Sequence, residues 1–119
     1  MEAKELRILN YVNTPYEKEV EIKSIVEDDN WEGYYIVTNN NKTSITVVKP
    51  IPLTEQWLLD FGFVSHKQNY YKKDYFRIMI YEGIFFLEDW HDGCLEIEHV
   101  HRLQNLYFAL NNNELIRKL

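Results

Sequence analysis

The segment KPIPLTEQWLLDFGF near the middle of the chain most constrains the fold, because it ends one strand-rich region and precedes another. Proline cannot donate a backbone hydrogen bond to a sheet, so the two prolines end any strand before them. Thr54 is a good N-cap residue, and Leu53 and Leu58 have the spacing of a hydrophobic staple. Gly62 suits the end of a helix. The segment therefore predicts a short capped helix over residues 55–61.

Four short runs of alternating or β-branched residues precede this helix, in residues 5–13 and in the segments EVEIKSIVED, GYYIVTN and TSITVVK. They predict four strands that form a small, strongly bent antiparallel sheet, which could close into an SH3-like barrel. The asparagine run between the last two segments predicts a hairpin turn.

Four further runs follow the helix, in the segments NYYKKD, YFRIMIYEG, IFFLEDW and CLEIEHV, and predict a second antiparallel meander. The pair Asp92-Gly93 is a hairpin signal between the last two. The helical spacing of apolar residues from His99 to Leu110 predicts a final helix packed on a sheet. The predicted fold class is α+β, in a single domain over residues 1–119, which is an ordinary length for one domain.

Cysteine content and apolar run lengths bear on the compartment. Cys94 is the only cysteine, so no intramolecular disulfide can form and no oxidising compartment is required. The N-terminus carries charges of both signs and no long apolar core, which is unlike a signal peptide. No apolar run approaches the roughly 20 residues that span a bilayer. These features predict a cytoplasmic protein with no membrane partner.

The net charge of −6 comes from 19 acidic and 13 basic residues. Residues 1–60 hold 11 acids and 6 bases, so the acidity is concentrated in the first half. Binding to a phosphate backbone requires clustered Lys and Arg, and only Lys72-Lys73 resembles a cluster. The composition therefore favours a partner protein with a basic surface over direct contact with nucleic acid.

Two segments combine acids with large rings, EDDNWEGYY and EDW followed by HDG. Such segments suit docking on a basic partner, because the charge speeds encounter and the rings supply anchors. The alternative is a pair of solvated turns whose rings are tucked into the sheets. The candidate protein-binding residues are Glu27, Asp28, Asp29, Trp31, Glu32, Glu88, Asp89, Trp90 and Asp92.

Metal or thiol chemistry is the weaker hypothesis, and no cofactor is expected. His99 and His101 would point about 200° apart on a helix, so they could not share a metal ion. The segment EDWHDGC offers competent ligand types but lacks the second half-site that marks a structural zinc site. His91 beside Cys94 could make a thiol nucleophile, yet a small buried thiol is the commoner state.

The segment NYYKKDYF interleaves bases with rings, a pattern that could stack single-stranded bases. Lys72, Lys73 and Arg77, with the nearby tyrosines, would carry that function. An edge strand protected by lysines explains the same pattern.

Three segments resemble a family of small uncharacterised proteins from phages, prophages and mobile elements of Bacteroides- and Flavobacterium-like bacteria. They are ELRILNYV, PIPLTEQWLLDFGF and IEHVHRLQNLYFALNNNEL, in this order, and cover roughly a third of the chain. Leu9 stands where members of the family usually have Gly, and Asn111 to Asn113 replace a usual Thr-Gly helix stop. The resemblance implies an origin in a host bacterial cell but no activity.

The leading functional hypothesis is a non-enzymatic phage-type protein that binds a host protein. Its most specific form is an inhibitor of a host defence nuclease, such as a CRISPR effector, by analogy with other small acidic phage proteins. The alternative is a small nucleic-acid-associated binding module. The third hypothesis is a small metal- or thiol-dependent enzyme.

Overall fold

The computed structural model describes residues 1–28, 33–89 and 93–118, and the fold is α+β as predicted. Short 3-10 helices lie at Ala3–Glu5 and Ile45–Val47. The strands and α-helices in chain order are β1 (Tyr11–Val12), β2 (Val20–Glu21), β3 (Ser24–Asp28), β4 (Gly33–Val37), β5 (Lys42–Ser44), α1 (Glu55–Asp60), β6 (Val64–Lys67), β7 (Tyr70–Lys73), β8 (Phe76–Tyr81), β9 (Ile84–Asp89), β10 (Gly93–Glu96) and α2 (Val100–Asn111).

Contacts divide the chain into two compact units. Unit 1 comprises Met1–Ile51 and Val100–Asn105, and unit 2 comprises Pro52–His99 and Leu106–Leu119. The single domain over residues 1–119 stays a prediction.

Unit 1 contains two small antiparallel sheets where the sequence predicted one bent sheet. One sheet pairs β1 with β2, and the other has the order β3-β4-β5. The predicted hairpin at the asparagine run is confirmed, because Val37 pairs with Lys42 and the Thr38 amide donates to the Asn41 carbonyl. The unit has its own apolar core, formed by Leu6, Val12, Val20, Ile22, Ile36, Ile45 and Val48.

Two predicted strands of unit 1 are largely wrong. Residues 5–13 contain the end of a 3-10 helix, a turn and only the two residues of β1, because Leu9 has a φ of 79° that breaks any strand. The segment TSITVVK leaves the sheet after Ser44, whose side chain accepts a hydrogen bond from the Thr46 amide and starts the second 3-10 helix.

The left-handed backbone at Leu9 gives a stability prediction. A Cβ is strained at this φ and glycine is not, so we expect Leu9→Gly to be more stable than Leu9→Ala by about 1 kcal/mol. The order would be reversed at a position with negative φ, where glycine has the greater chain entropy in the unfolded state. Urea unfolding of the two variants measures the difference. Equal or reversed stabilities would contradict the assigned backbone conformation.

Unit 2 is built on a five-stranded antiparallel meander in the order β10-β9-β8-β7-β6. The four strands predicted after α1 are present as β7 to β10, and β6 is an additional strand with every residue exposed. The capped helix is confirmed, because Thr54 Oγ1 accepts from the Trp57 amide and Gly62 has a φ of 91°. The Phe63 amide closes the helix end by donating to the Leu58 carbonyl.

Helix α2 begins at Val100, one residue after the predicted start, with His99 as its N-cap residue. It ends at Asn111, one residue after the predicted end, and its C-cap residue Asn112 has a left-handed φ of 56°, a conformation that asparagine tolerates well. No helix in the described ranges is long and apolar enough to cross a membrane.

Candidate functional site

The two acidic segments belong to two hairpins, one in each unit. In unit 1, β3 ends at Asp28 and pairs there with Gly33 of β4. In unit 2, β9 ends at Asp89 and pairs there with Gly93 of β10. The structure gives the backbone positions of both aspartates. The predicted site residues that lie outside the described ranges are Asp29, Trp31, Glu32, Trp90 and Asp92.

Glu27 and Glu88 are the candidate acids whose side chains the structure describes, and both are exposed. Glu27 lies directly opposite Tyr34 across the β3–β4 pair, and Tyr34 is itself 41% exposed. A carboxylate therefore stands beside an exposed ring at this hairpin, which is the combination that the sequence predicted for docking on a basic partner.

One face of the five-stranded sheet is covered by unit 2 itself. Its side chains include the buried residues Phe76 and Ile78. Tyr107 of α2 packs edge-to-face on Phe76 with ring centroids 5.4 Å apart, and Phe63 packs on the same ring at 6.1 Å. The Tyr107 hydroxyl donates to Asp74 Oδ2 at 2.6 Å. Burial first and this hydrogen bond second raise the pKa of Tyr107 to about 12.

On the other face of the sheet, here called the open face, every described side chain is exposed or half-buried. Val64 is 67% and Tyr81 is 62% exposed on this face, although both are large and apolar in most of their surface. From the strand registers, the described side chains of the open face are those of Val64, Lys67, Tyr70, Lys72, Arg77, Met79, Tyr81, Ile84, Phe86, Glu88 and Glu96.

The structure brings together two of the three predicted basic residues. Lys72 and Arg77 are cross-strand partners on the open face. Lys73 lies on the covered side, where its ammonium donates to the Phe61 carbonyl at 2.7 Å and burial lowers its pKa. Glu88 lines the same shallow cavity of about 120 Å³ as Lys72 and Arg77, so the surface is not uniformly basic.

The candidate metal and thiol residues are placed separately. His99 is the N-cap residue of α2, and its backbone pairs with Pro52. His101 is only 5% exposed and lies in the first turn of the helix. His91 lies outside the described ranges, and Cys94 is described by its backbone alone. Among the described residues, no three His, Cys, Asp or Glu side chains form a group that could hold a metal ion.

A buried amide cluster in unit 1 escaped the sequence analysis. Gln104 is fully buried; its Oε1 accepts from the Tyr11 amide at 2.9 Å and its Nε2 donates to the Leu9 carbonyl at 3.0 Å. Asn105 Oδ1 accepts from Asn10 Nδ2 at 2.9 Å. The signal in the sequence is the pair of amide residues beside the apolar stripe of α2. Amide side chains are more easily buried than charged ones, provided that they are hydrogen-bonded.

No family model, curated protein or solved structure matches the chain. The phage-type resemblance therefore stays a prediction. Two of its three segments, LRILNYV and VHRLQNLYFAL, contain the residues of the buried amide cluster.

Proposed function

We propose that the chain is a non-enzymatic binding protein that docks on a basic surface of a host protein through its acidic hairpin ends. The observation that carries the proposal is the exposed carboxylate of Glu27 beside the exposed ring of Tyr34 at the end of the β3–β4 hairpin. Glu88 gives unit 2 a second exposed carboxylate next to its own hairpin end.

Hairpins suit this role, because cross-strand hydrogen bonds hold neighbouring side chains in a fixed register. Glu27 and Tyr34 are neighbours before any partner binds, so no backbone ordering is needed to bring them together. Carboxylates attract a basic partner at long range, whereas a ring such as that of Tyr34 excludes water at short range.

The finer part of the proposal concerns the partner. A surface that normally binds a phosphate backbone is rich in Lys and Arg, and a protein with a net charge of −6 can occupy such a surface in place of nucleic acid. An inhibitor of a host defence nuclease, such as a CRISPR effector, would work in this way. The phage origin that the sequence suggests supports this class of partner by analogy.

The proposal is tested with two charge-matched double variants. Glu27→Lys with Asp29→Lys reverses two charges at the first hairpin, and Glu2→Lys with Glu98→Lys reverses two exposed charges elsewhere. A host protein is first captured by cross-linking and identified by mass spectrometry, and its affinity is then measured by surface plasmon resonance. We expect the hairpin variant to bind about tenfold more weakly, mainly through slower association at low salt, and the control to bind nearly as wild type.

Equal losses in both variants would show that only net charge matters, and unchanged binding in the hairpin variant would remove this hairpin from the interface. Binding of naked RNA or DNA by the wild-type chain would favour the nucleic-acid module, because acidic docking predicts none.

A further inference from the structure

Side chains on the open face form rows that cross the sheet from β6 to β10. The register of the four strand pairs places one row in the order Lys67, Tyr70, Met79, Phe86 and Glu96. This row is positive at one end, apolar in the middle and negative at the other end.

A second row lies beside the first, about two residues farther along each strand. It runs from Val64 through Lys72 and Arg77. Glu88 occupies the next position on β9, one residue beyond the last β8–β9 pair. The second row therefore has the same polarity, with bases toward β6 and an acid toward β10.

Among the described residues, no ion pair joins the charges of either row, although Glu88 lines one cavity with Lys72 and Arg77. Lys72, Arg77, Glu88 and Glu96 form no hydrogen bond or ion pair with any described side chain. The Lys67 ammonium lies 4.4 Å from the centroid of the Tyr70 ring. Like charges directly opposite each other, such as Lys72 and Arg77, destabilise a sheet unless an anion compensates them.

We propose that the open face is a self-association surface whose occupant is the open face of a second copy of this chain. The copies are related by a two-fold axis that runs along the central strand β8. This inference goes beyond the proposed function and does not rest on it, because self-association is measured on the chain alone, although Glu88 belongs to both surfaces.

The argument for a second copy is the complementarity of each row with itself. A two-fold rotation about β8 places β6 over β10 and β7 over β9 of the second copy. Lys67 of one copy then faces Glu96 of the second copy, and Tyr70 faces Phe86 of the second copy. Met79 meets Met79 of the second copy at the axis. Apolar side chains at this point suit two packed sheets, whose inner faces form a shared apolar core.

The second row follows the same rule. Lys72 faces Glu88 of the second copy, which places a base and an acid together in both halves of the interface. The two copies of Arg77 meet near the axis, where each lies beside the Glu88 carboxylates of both chains. Four carboxylates and six bases then share the contact, so the proposed interface keeps some positive charge.

A single-stranded nucleic acid is the competing occupant, because rings beside bases can stack and hold it. The acidic ends of both rows count against it, since Glu88 and Glu96 would repel a phosphate backbone that crosses the sheet. A second copy uses both the acidic and the basic ends, and for this reason it is the occupant proposed.

Charge-swapped chains test the symmetry directly. One variant combines Lys67→Glu with Lys72→Glu, and the other combines Glu88→Lys with Glu96→Lys; the open face of each becomes mostly one sign. Sedimentation velocity over a concentration series measures association, and circular dichroism checks that each variant is folded. We expect the wild-type chain to dimerise, each variant alone to dissociate about tenfold or more readily, and an equimolar mixture of the two to form a heterodimer.

Recovery of association in the mixture is the decisive result, because it cannot arise from a folding defect. A wild-type chain that remains monomeric at the highest concentration would overturn the proposal. So would a dimer that both variants retain, which would place self-association elsewhere. If an oligonucleotide bound the monomeric wild type but not the variant with Lys67→Glu and Lys72→Glu, the face would be assigned to nucleic acid.

Discussion

Replacing Gln104 with methionine is expected to lower the free energy of unfolding by about 3 kcal/mol, although the side-chain volume hardly changes. Gln104 is fully buried and bonds both the Tyr11 amide and the Leu9 carbonyl. Methionine fills the space but removes both of these part-buried hydrogen bonds, and the loss of each costs roughly 1–3 kcal/mol. Part of the loss is offset by burying a more apolar side chain.

The contrast with neighbouring positions makes the experiment specific. Arg102→Met alters an exposed position in the same helix and is expected to change stability by less than about 0.5 kcal/mol. Gln104→Glu keeps an acceptor for the Tyr11 amide but buries a charge and leaves the Leu9 carbonyl unpaired, so it should be at least as destabilising as methionine. Urea unfolding followed by circular dichroism gives all three values. A Gln104→Met variant as stable as wild type would contradict the role of the amide hydrogen bonds.

The fold was predictable where local signals agreed with tertiary packing. Thr54, Leu53 and Gly62 all indicated the same short helix, and the structure has it. The alternating segments after it had a single consistent interpretation as a meander, because their apolar and polar residues alternate with the period of a strand. These elements depend on patterns that a sequence displays directly.

Unit 1 was harder to predict because its chain direction is set by single backbone positions and distant contacts. The alternation of apolar and polar residues does not indicate the φ of any residue. Leu9, which has a positive φ, was therefore placed in a strand. The Ile22 amide donates to the Asn10 carbonyl beyond the end of the β1–β2 pair, and the Lys23 amide donates to the Val37 carbonyl of the other sheet. The chain therefore passes from one sheet to the other between Ile22 and Lys23. The periodic apolar pattern continues across this point, which is why one bent sheet was predicted.

The candidate sites also differ in whether local sequence patterns or distant contacts define them. Acid-rich segments were recognisable from composition, whereas the structure places Glu27 and Glu88 within strands, each one residue before the end of β3 or β9. The open face was not recognised, because its rows combine residues from five strands, and only the cross-strand registers show that Lys67 and Glu96 end the same row. Lys72 and Lys73 point to opposite faces of the sheet, because successive side chains of a strand alternate. The two lysines were predicted as one cluster because this alternation was not considered.

Alkaline pH is expected to destabilise unit 2 through Tyr107, whose side chain is almost fully buried. The pKa of Tyr107 is raised from 10.0 to about 12, first by burial and then by the hydrogen bond to Asp74. Below pH 10 the hydroxyl is protonated in the folded and unfolded states, and its contribution to stability is fully present. Between pH 10 and 12 the unfolded state loses this proton first, so stability falls as pH rises, by roughly 3 kcal/mol in total for a pKa difference of about two units.

Tyr107→Phe tests this dependence, because phenylalanine keeps the ring contacts with Phe76 and Phe63 but has no proton to lose. At neutral pH the variant should be less stable than wild type by about 1.5 kcal/mol, through loss of a hydrogen bond to a carboxylate. This deficit should shrink as pH rises above 10 and disappear before pH 12, since the wild type alone carries the titrating group. Tyr75→Phe is the matched control, because Tyr75 is 96% exposed and its replacement should leave the pH profile unchanged. Urea midpoints measured from pH 8 to about 11.5 decide the matter. If wild type and Tyr107→Phe lost stability in parallel over this range, the alkaline loss would belong to other groups, with Tyr71 as the next candidate because its hydrogen bond to Glu55 also raises its pKa.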